Sequence, residues 1–71
     1  MSEFTIDTRG KRCPLPIIIL AQRIKEVSIG ECISLLADDP AAAFDVPAWC
    51  RMTNHQLVSA HDGVFVVERT S

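Results

Sequence analysis

Among the residues of this 71-residue chain that can do chemistry, Cys13 stands out for where it falls, in the segment Cys13-Pro14-Leu15-Pro16. A cysteine is a nucleophile only as its thiolate, so the question is where the chain favours the anion. Cys13 immediately precedes an apolar-periodic segment whose first turn holds two prolines, at positions where a missing N–H costs little because those donors lack intrahelical partners. Pro14 and Pro16 are thus read as residues that fix the thiol at a helix N-terminus. There the partial positive charge of the aligned peptide dipoles, the free N–H groups of Leu15 and Ile17, and the nearby cations Arg9, Lys11 and Arg12 all favour a thiolate. The expectation is a lowered pKa for Cys13, with the three cations also forming a docking surface for an acidic partner.

Other cysteine chemistries find little support. No second cysteine lies two residues away to resolve a disulfide, which speaks against a thioredoxin-like redox role. His55 and His61 have no spacing that pairs them with the thiol, and no set of Cys and His has metal-ligand spacing, so neither a Cys–His pair nor a metal site is expected. No cofactor is called for. A lone activated thiol without a base or a substrate pocket is suited to receiving and passing on a sulfur atom. Cys32, inside a predicted strand, and Cys50, on the apolar stripe of a predicted helix, are read as buried structural thiols. Trp49 reads as core, and Asp38 and Asp39 as a strand end and a helix cap.

The elements that must position Cys13 follow from periodicity. Phe4-Thr5-Ile6-Asp7 alternates and ends at Thr8-Arg9-Gly10, predicting a short strand and a loop that delivers the thiol. Ile17, Leu20, Ala21, Ile24 and Val27 then recur at helical spacing, with Ile18 and Ile19 beside the buried stripe and at least one of them available to a partner. After Gly30, residues 32–37 read as a second strand stopping at Asp38-Asp39-Pro40, where Asp39 suits an N-cap and Pro40 a first helical position. The second helix runs to Thr53 with Val46, Trp49 and Cys50 inward, and Pro47 is expected to shorten, kink or restart it. Asn54 can close it in the left-handed region, and residues 56–60 and 64–68 form a hairpin about Asp62-Gly63. The order βαβαββ predicts an α/β (α+β) two-layer sandwich, a mixed four-stranded sheet with two helices on one face, as a single domain over 1–71.

Composition agrees with a small self-sufficient fold: 48% of the residues are apolar, enough for a core without disulfide or metal staples. A formal charge of -2 argues against direct nucleic-acid binding. No leader pattern opens the chain and no apolar run approaches the roughly 20 residues that span a bilayer, so a cytoplasmic protein without membrane contact is expected. Three widely spaced cysteines suit free thiols in a reducing compartment. A monomer is expected.

The segment Asp7-Thr8-Arg9-Gly10 through Cys13-Pro14-Leu15-Pro16, followed by Gly30-Glu31, Ala37-Asp38-Asp39-Pro40, Asp45-Val46-Pro47, Trp49-Cys50 and His55-Gln56-Leu57, resembles the TusA/SirA-type sulfur-carrier family over almost the whole chain. That resemblance implies a βαβαββ sandwich. It further implies that Cys13 accepts persulfide sulfur from a cysteine desulfurase or rhodanese-like donor and hands it to a downstream acceptor protein. In one branch of the family the relay ends in the 2-thiouridine of tRNA; in others it serves sulfur oxidation, molybdenum-cofactor maturation or thiosulfate use. The rival expectation is a non-catalytic interaction or regulatory module in which Cys13 merely ends a loop.

Overall fold

The computed structural model describes residues 4–71; the opening residues 1–3, on which the reading for a leader partly rests, lie outside them. Strand β1 (Phe4–Asp7) leads into helix α1 (Leu15–Arg23), which tightens into a 3-10 turn (Ile24–Glu26) before β2 (Cys32–Leu36). Helix α2 (Ala42–Thr53) and the hairpin β3 (Gln56–His61) and β4 (Val64–Glu68) complete the chain. The βαβαββ order and the mixed four-stranded sheet are as the periodicity predicts.

The sheet order is β1-β2-β4-β3, with β1 parallel to β2 and the other neighbours antiparallel. Register pairs Ile6 with Leu35, and Leu35 with Phe65, so alternate residues form one apolar face. Against that face α1 sets Leu20 and α2 sets Val46, both fully buried, with Trp49 and Cys50 closing the core. The opposite face carries Ser34, Leu36, Val64 and Val66, all half-buried. Cys32, paired with Glu68 on that same outer face, is also half-buried, which corrects its reading as a core thiol. Strand alternation explains the error, because a residue one position before the buried Ile33 must point the other way. Cys50 is buried as expected.

Parallel pairing of β1 with β2 has the consequence that matters for the site. Asp7 lies opposite Leu36, so the loops that leave both strands emerge side by side at one edge of the sheet. Thr8 fastens this edge: it is fully buried, and both its backbone N–H (2.8 Å) and its hydroxyl (2.6 Å) donate to the Leu36 carbonyl. On the hairpin side, Asp62 and Gly63 both take positive φ, and a Cβ on Gly63 would stand 2.8 Å from the Ala37 carbonyl oxygen. Only glycine fits that turn while its carbonyl accepts the Ala37 N–H at 2.9 Å.

Two boundaries differ from expectation. Helix α2 starts at Ala42 rather than Pro40, because Asp39 and Pro40 belong to a turn in which the Asp39 carbonyl accepts the Ala42 N–H at 2.9 Å. Pro47 neither breaks nor restarts the helix, which runs through it unbroken. Its missing N–H leaves only the carbonyl four residues earlier without a donor, on exposed Ala43 where water can serve instead. Asn54 closes the helix at φ 63° and His55 donates back to the Cys50 carbonyl at 3.0 Å, the left-handed cap the sequence predicts.

Candidate functional site

Cys13 sits half-buried at the mouth of α1, one residue before Pro14. The helix start has no side-chain cap and no acidic residue in its first turn. Its first intrahelical bond runs from Ile18 N–H to the Pro14 carbonyl at 3.0 Å, and Pro16 is fully buried, so this proline anchors the first turn in the core. The Leu15 N–H, expected to face the thiol, instead donates to the Arg12 carbonyl at 2.9 Å.

The loop bearing Cys13 is held from the neighbouring loop by two carboxylates. Asp38 Oδ1 accepts the Gly10 N–H at 2.9 Å, and Asp39 Oδ2 accepts the Cys13 N–H at 3.1 Å. Asp39 Oδ1 meanwhile accepts the Ala41 N–H at 2.8 Å, so one side chain braces the thiol's backbone and caps the turn leading into α2. These hydrogen bonds and the Arg12 charge hold the Asp39 carboxyl below the usual carboxylate range. The role of Asp38 and Asp39 as more than strand end and cap is missed by a local reading. Its signal lies in the topology, since residues after the carboxyl ends of adjacent parallel strands converge.

Two expectations about the thiol's electrostatics are corrected here. Burial pushes the Cys13 thiol up, and the negative charge of Asp45, in the first turn of α2, raises it further, with Asp39 adding to the effect. The expected lowering is therefore reversed. One of the three cations is engaged elsewhere. Arg9 pairs with Asp7, its guanidinium nitrogens 2.8 and 3.0 Å from the two carboxylate oxygens; that pair holds Asp7 at a pKa of about 2. Lys11 acts on Asp7 and Arg12 on Asp39, and neither stands among the groups that set the thiol's titration.

His55 does not join the thiol. Its ring stacks on Trp49 with centroids 5.2 Å apart, and its Nδ1 accepts the Thr70 N–H at 3.2 Å. Among the described residues no group of three or more His, Cys, Asp or Glu is placed to hold a metal ion. Beside Cys13 runs a shallow apolar groove between the helices, lined by Pro14, Ile17, Asp45, Ala48, Trp49 and Met52. Large apolar side chains stand exposed on both helices: Leu15 and Ile18 on α1, and Phe44 and Met52, at 77% and 78% exposure, on α2. Phe44, Ala48 and Met52 recur every four residues and so form one stripe of α2. Ile18 is the exposed member of the Ile18-Ile19 pair.

The small α/β sandwich thus presents Cys13 where the loops after β1 and β2 meet, beside an open groove. The family described as "Sulfurtransferase TusA" matches residues 4–69, nearly all of the chain, and the protein belongs to that family. Its class of function is that of a sulfur carrier and sulfurtransferase component. Among the described residues no helix is long and apolar enough to cross a membrane.

Proposed function

We propose that Cys13 carries sulfane sulfur as a persulfide between two proteins of a cytoplasmic relay, from a cysteine desulfurase or rhodanese-like donor to an acceptor that serves 2-thiouridine formation in tRNA. The observation that carries this reading is the placement of the thiol: half-buried, braced by Asp39 through its own backbone, and set just before a helix that exposes Leu15 and Ile18. An enzyme acting on a small molecule needs walls around its nucleophile. Next to this thiol lies instead an open, largely apolar groove lined by Pro14, Ile17, Ala48, Trp49 and Met52, which a partner protein covers.

The transfer balances without a redox partner. Cys13 sulfur attacks the outer sulfur of a donor persulfide, R–S–SH; the donor's S–S bond breaks as the new one forms, and the electron pair leaves on R–S⁻. The proton lost from Cys13 ends on that thiolate, giving Cys13–S–SH and R–SH. Delivery to the acceptor repeats the exchange in the opposite sense. Pro14 and Pro16 set the first turn so that one thiol geometry meets both partners. Exposed Lys11 and Arg12 guide association, whereas Arg9, neutralised by Asp7, contributes less.

Intact-mass measurement after incubation with a cysteine desulfurase, cysteine and pyridoxal phosphate tests the reading. Gain of one sulfur by the wild type and none by Cys13→Ser is the expected result. Absence of any adduct, under conditions that load an established carrier, would favour the interaction module instead. For the destination, loss of 2-thiouridine from tRNA in cells lacking the protein, restored by wild type and not by Cys13→Ser, is expected; unchanged tRNA would direct the relay to another acceptor.

A further inference from the structure

Cys13 occupies the second place of a four-residue turn that the Leu15 N–H closes on the Arg12 carbonyl at 2.9 Å, and this closure leaves the Cys13 N–H for a partner outside the turn. That partner is Asp39 Oδ2 at 3.1 Å, while Asp39 Oδ1 takes the Ala41 N–H at 2.8 Å. One carboxylate thus joins a segment 26 residues away in the chain to one only 2 residues away. The backbone of Asp39 is itself tied down, since its carbonyl accepts the Ala42 N–H at 2.9 Å where α2 begins. Neighbouring Asp38 reaches the other end of the same loop, through the Gly10 N–H at 2.9 Å. Asp38 therefore holds the loop where it leaves β1, and Asp39 holds the residue that bears the thiol.

We propose that Asp39 is a positioning residue for sulfur transfer: its carboxylate, with one oxygen on the Cys13 N–H and the other on the Ala41 N–H, fixes the Cys13 backbone against the start of α2 so that the sulfur meets a partner's persulfide in one orientation. The geometry of the exchange makes orientation matter. Displacement at sulfur proceeds along the axis of the S–S bond that breaks, so Sγ must lie close to that line when the two proteins meet. A thiol on a backbone free to swing meets the line only a fraction of the time. Fixing the Cys13 N–H within a closed turn sets the Cα–Cβ direction and leaves rotation about that bond as the sulfur's main freedom. The brace does not work through nucleophilicity, because a carboxylate near the thiol disfavours the thiolate. Its contribution is therefore orientation. This role rests on Cys13 being the sulfur-bearing residue, and the experiment tells the two apart.

The test compares two reactions of the same thiol in wild type, Asp39→Asn, Asp39→Ala and Asp62→Asn: single-turnover loading by a cysteine desulfurase charged with cysteine, over a range of desulfurase concentration, and alkylation by iodoacetamide. The loading rate at saturating desulfurase should fall by about tenfold in Asp39→Ala, with the half-saturating concentration little changed. Asp39→Asn, which keeps the shape but offers one oxygen to two N–H groups, should lie between Asp39→Ala and wild type. Alkylation by a small reagent that sets its own approach should stay at the wild-type rate or rise by about twofold, as the thiolate gains from loss of the charge. Asp62→Asn, an equal change of charge at a positive φ that asparagine tolerates, should leave both rates where they were. Thermal unfolding sets a temperature at which the variants are folded, and Asp39→Asn decides the matter if Asp39→Ala is not. Folded Asp39→Asn that loads at the wild-type maximal rate would overturn the role. So would alkylation that falls in proportion to loading, or a raised half-saturating concentration with the maximal rate unchanged, which would make Asp39 a docking residue. Each of these leaves the carrier reading standing, whereas wild type that takes up no sulfur would remove that reading and this role together.

Discussion

The two helices begin side by side at one edge of the sheet, neither with a side-chain cap at its N-cap residue, and they differ in what supports their starts. Helix α2 arrives with its own supports: Asp39 caps the turn ahead of it, Asp45 lies in its first turn where the dipole favours an anion, and Val46 is fully buried within another residue. Helix α1 has no cap and no first-turn acid, and places exposed Leu15 and Ile18 in its opening turns. What α1 lacks, the turn before α2 supplies, since Asp39 also holds the Cys13 N–H. The self-supporting start serves as scaffold for the dependent one. The loop that carries Cys13 is held by its neighbour, while Leu15 and Ile18 at the start of α1 stay exposed.

The largest effect that would sharpen this contrast is between the two sides of α1. Leu20→Ala on the buried side should cost about 3 kcal/mol of unfolding free energy in urea titration, within the span for buried leucines. Ile18→Ala, on the exposed side, should stay within about 0.5 kcal/mol and yet slow sulfur transfer from a donor. Equal stability losses would erase the division between core side and partner side. Next comes Asp39→Ala, which orphans the Cys13 and Ala41 N–H groups together. It should lower the thermal midpoint more than Asp38→Ala does, and hydrogen exchange should quicken in residues 10–16 as well as at the start of α2. Faster exchange at α2 alone would mean that α1 holds itself.

A smaller effect, on rate and not on stability, is expected from Lys11→Glu with Arg12→Glu. Transfer from a donor should slow through association, and rising salt should slow the wild type more than the variant. Identical salt dependence would remove electrostatic guidance while leaving persulfide chemistry untouched. The smallest concerns the far end of α2. Burial, with Arg69 nearby, depresses the pKa of His55, so the neutral ring is the form the fold prefers. Its contribution to stability is present above pH 6.5 and is lost as pH falls through the lower folded value. Fluorescence of Trp49, on which the ring stacks, should titrate with a midpoint below 6.5, and a midpoint above it would contradict the assignment.

Most of the fold was legible because its signals are local. The alternation of residues 4–7, the helical stripe through Leu20 and Ile24, Asn54 as a left-handed cap and Asp62-Gly63 as the hairpin turn all rest on neighbours in the chain. Cys13 was legible for the same reason, since the prolines that mark it are adjacent. Its electrostatics were not. Arg9, Lys11 and Arg12 are close to it in sequence and suggest a stabilised anion, but the Asp39 carboxylate that holds its backbone comes from 26 residues away, and Asp45 from further still. Proximity along the chain overstates the cations and hides the carboxylates. Cys32 was misread for a related reason: a strand residue's side is settled by register, and only the pairing of Ile33 with Phe4 and Val67 shows which face is inward.

The three cysteines allow the most direct test of the central claim, because they occupy three different environments in one small chain: a braced loop, the outer face of the sheet, and the core. After loading by a desulfurase, trapping of free thiols and persulfides with an alkylating agent, followed by peptide mass spectrometry, reads the position of the added sulfur directly. The account predicts that sulfur on the peptide containing Cys13, with Cys32 and Cys50 unmodified, and no added sulfur anywhere in Cys13→Ser. Sulfur on half-exposed Cys32 at a level equal to Cys13, or loading that persists in Cys13→Ser, would contradict it.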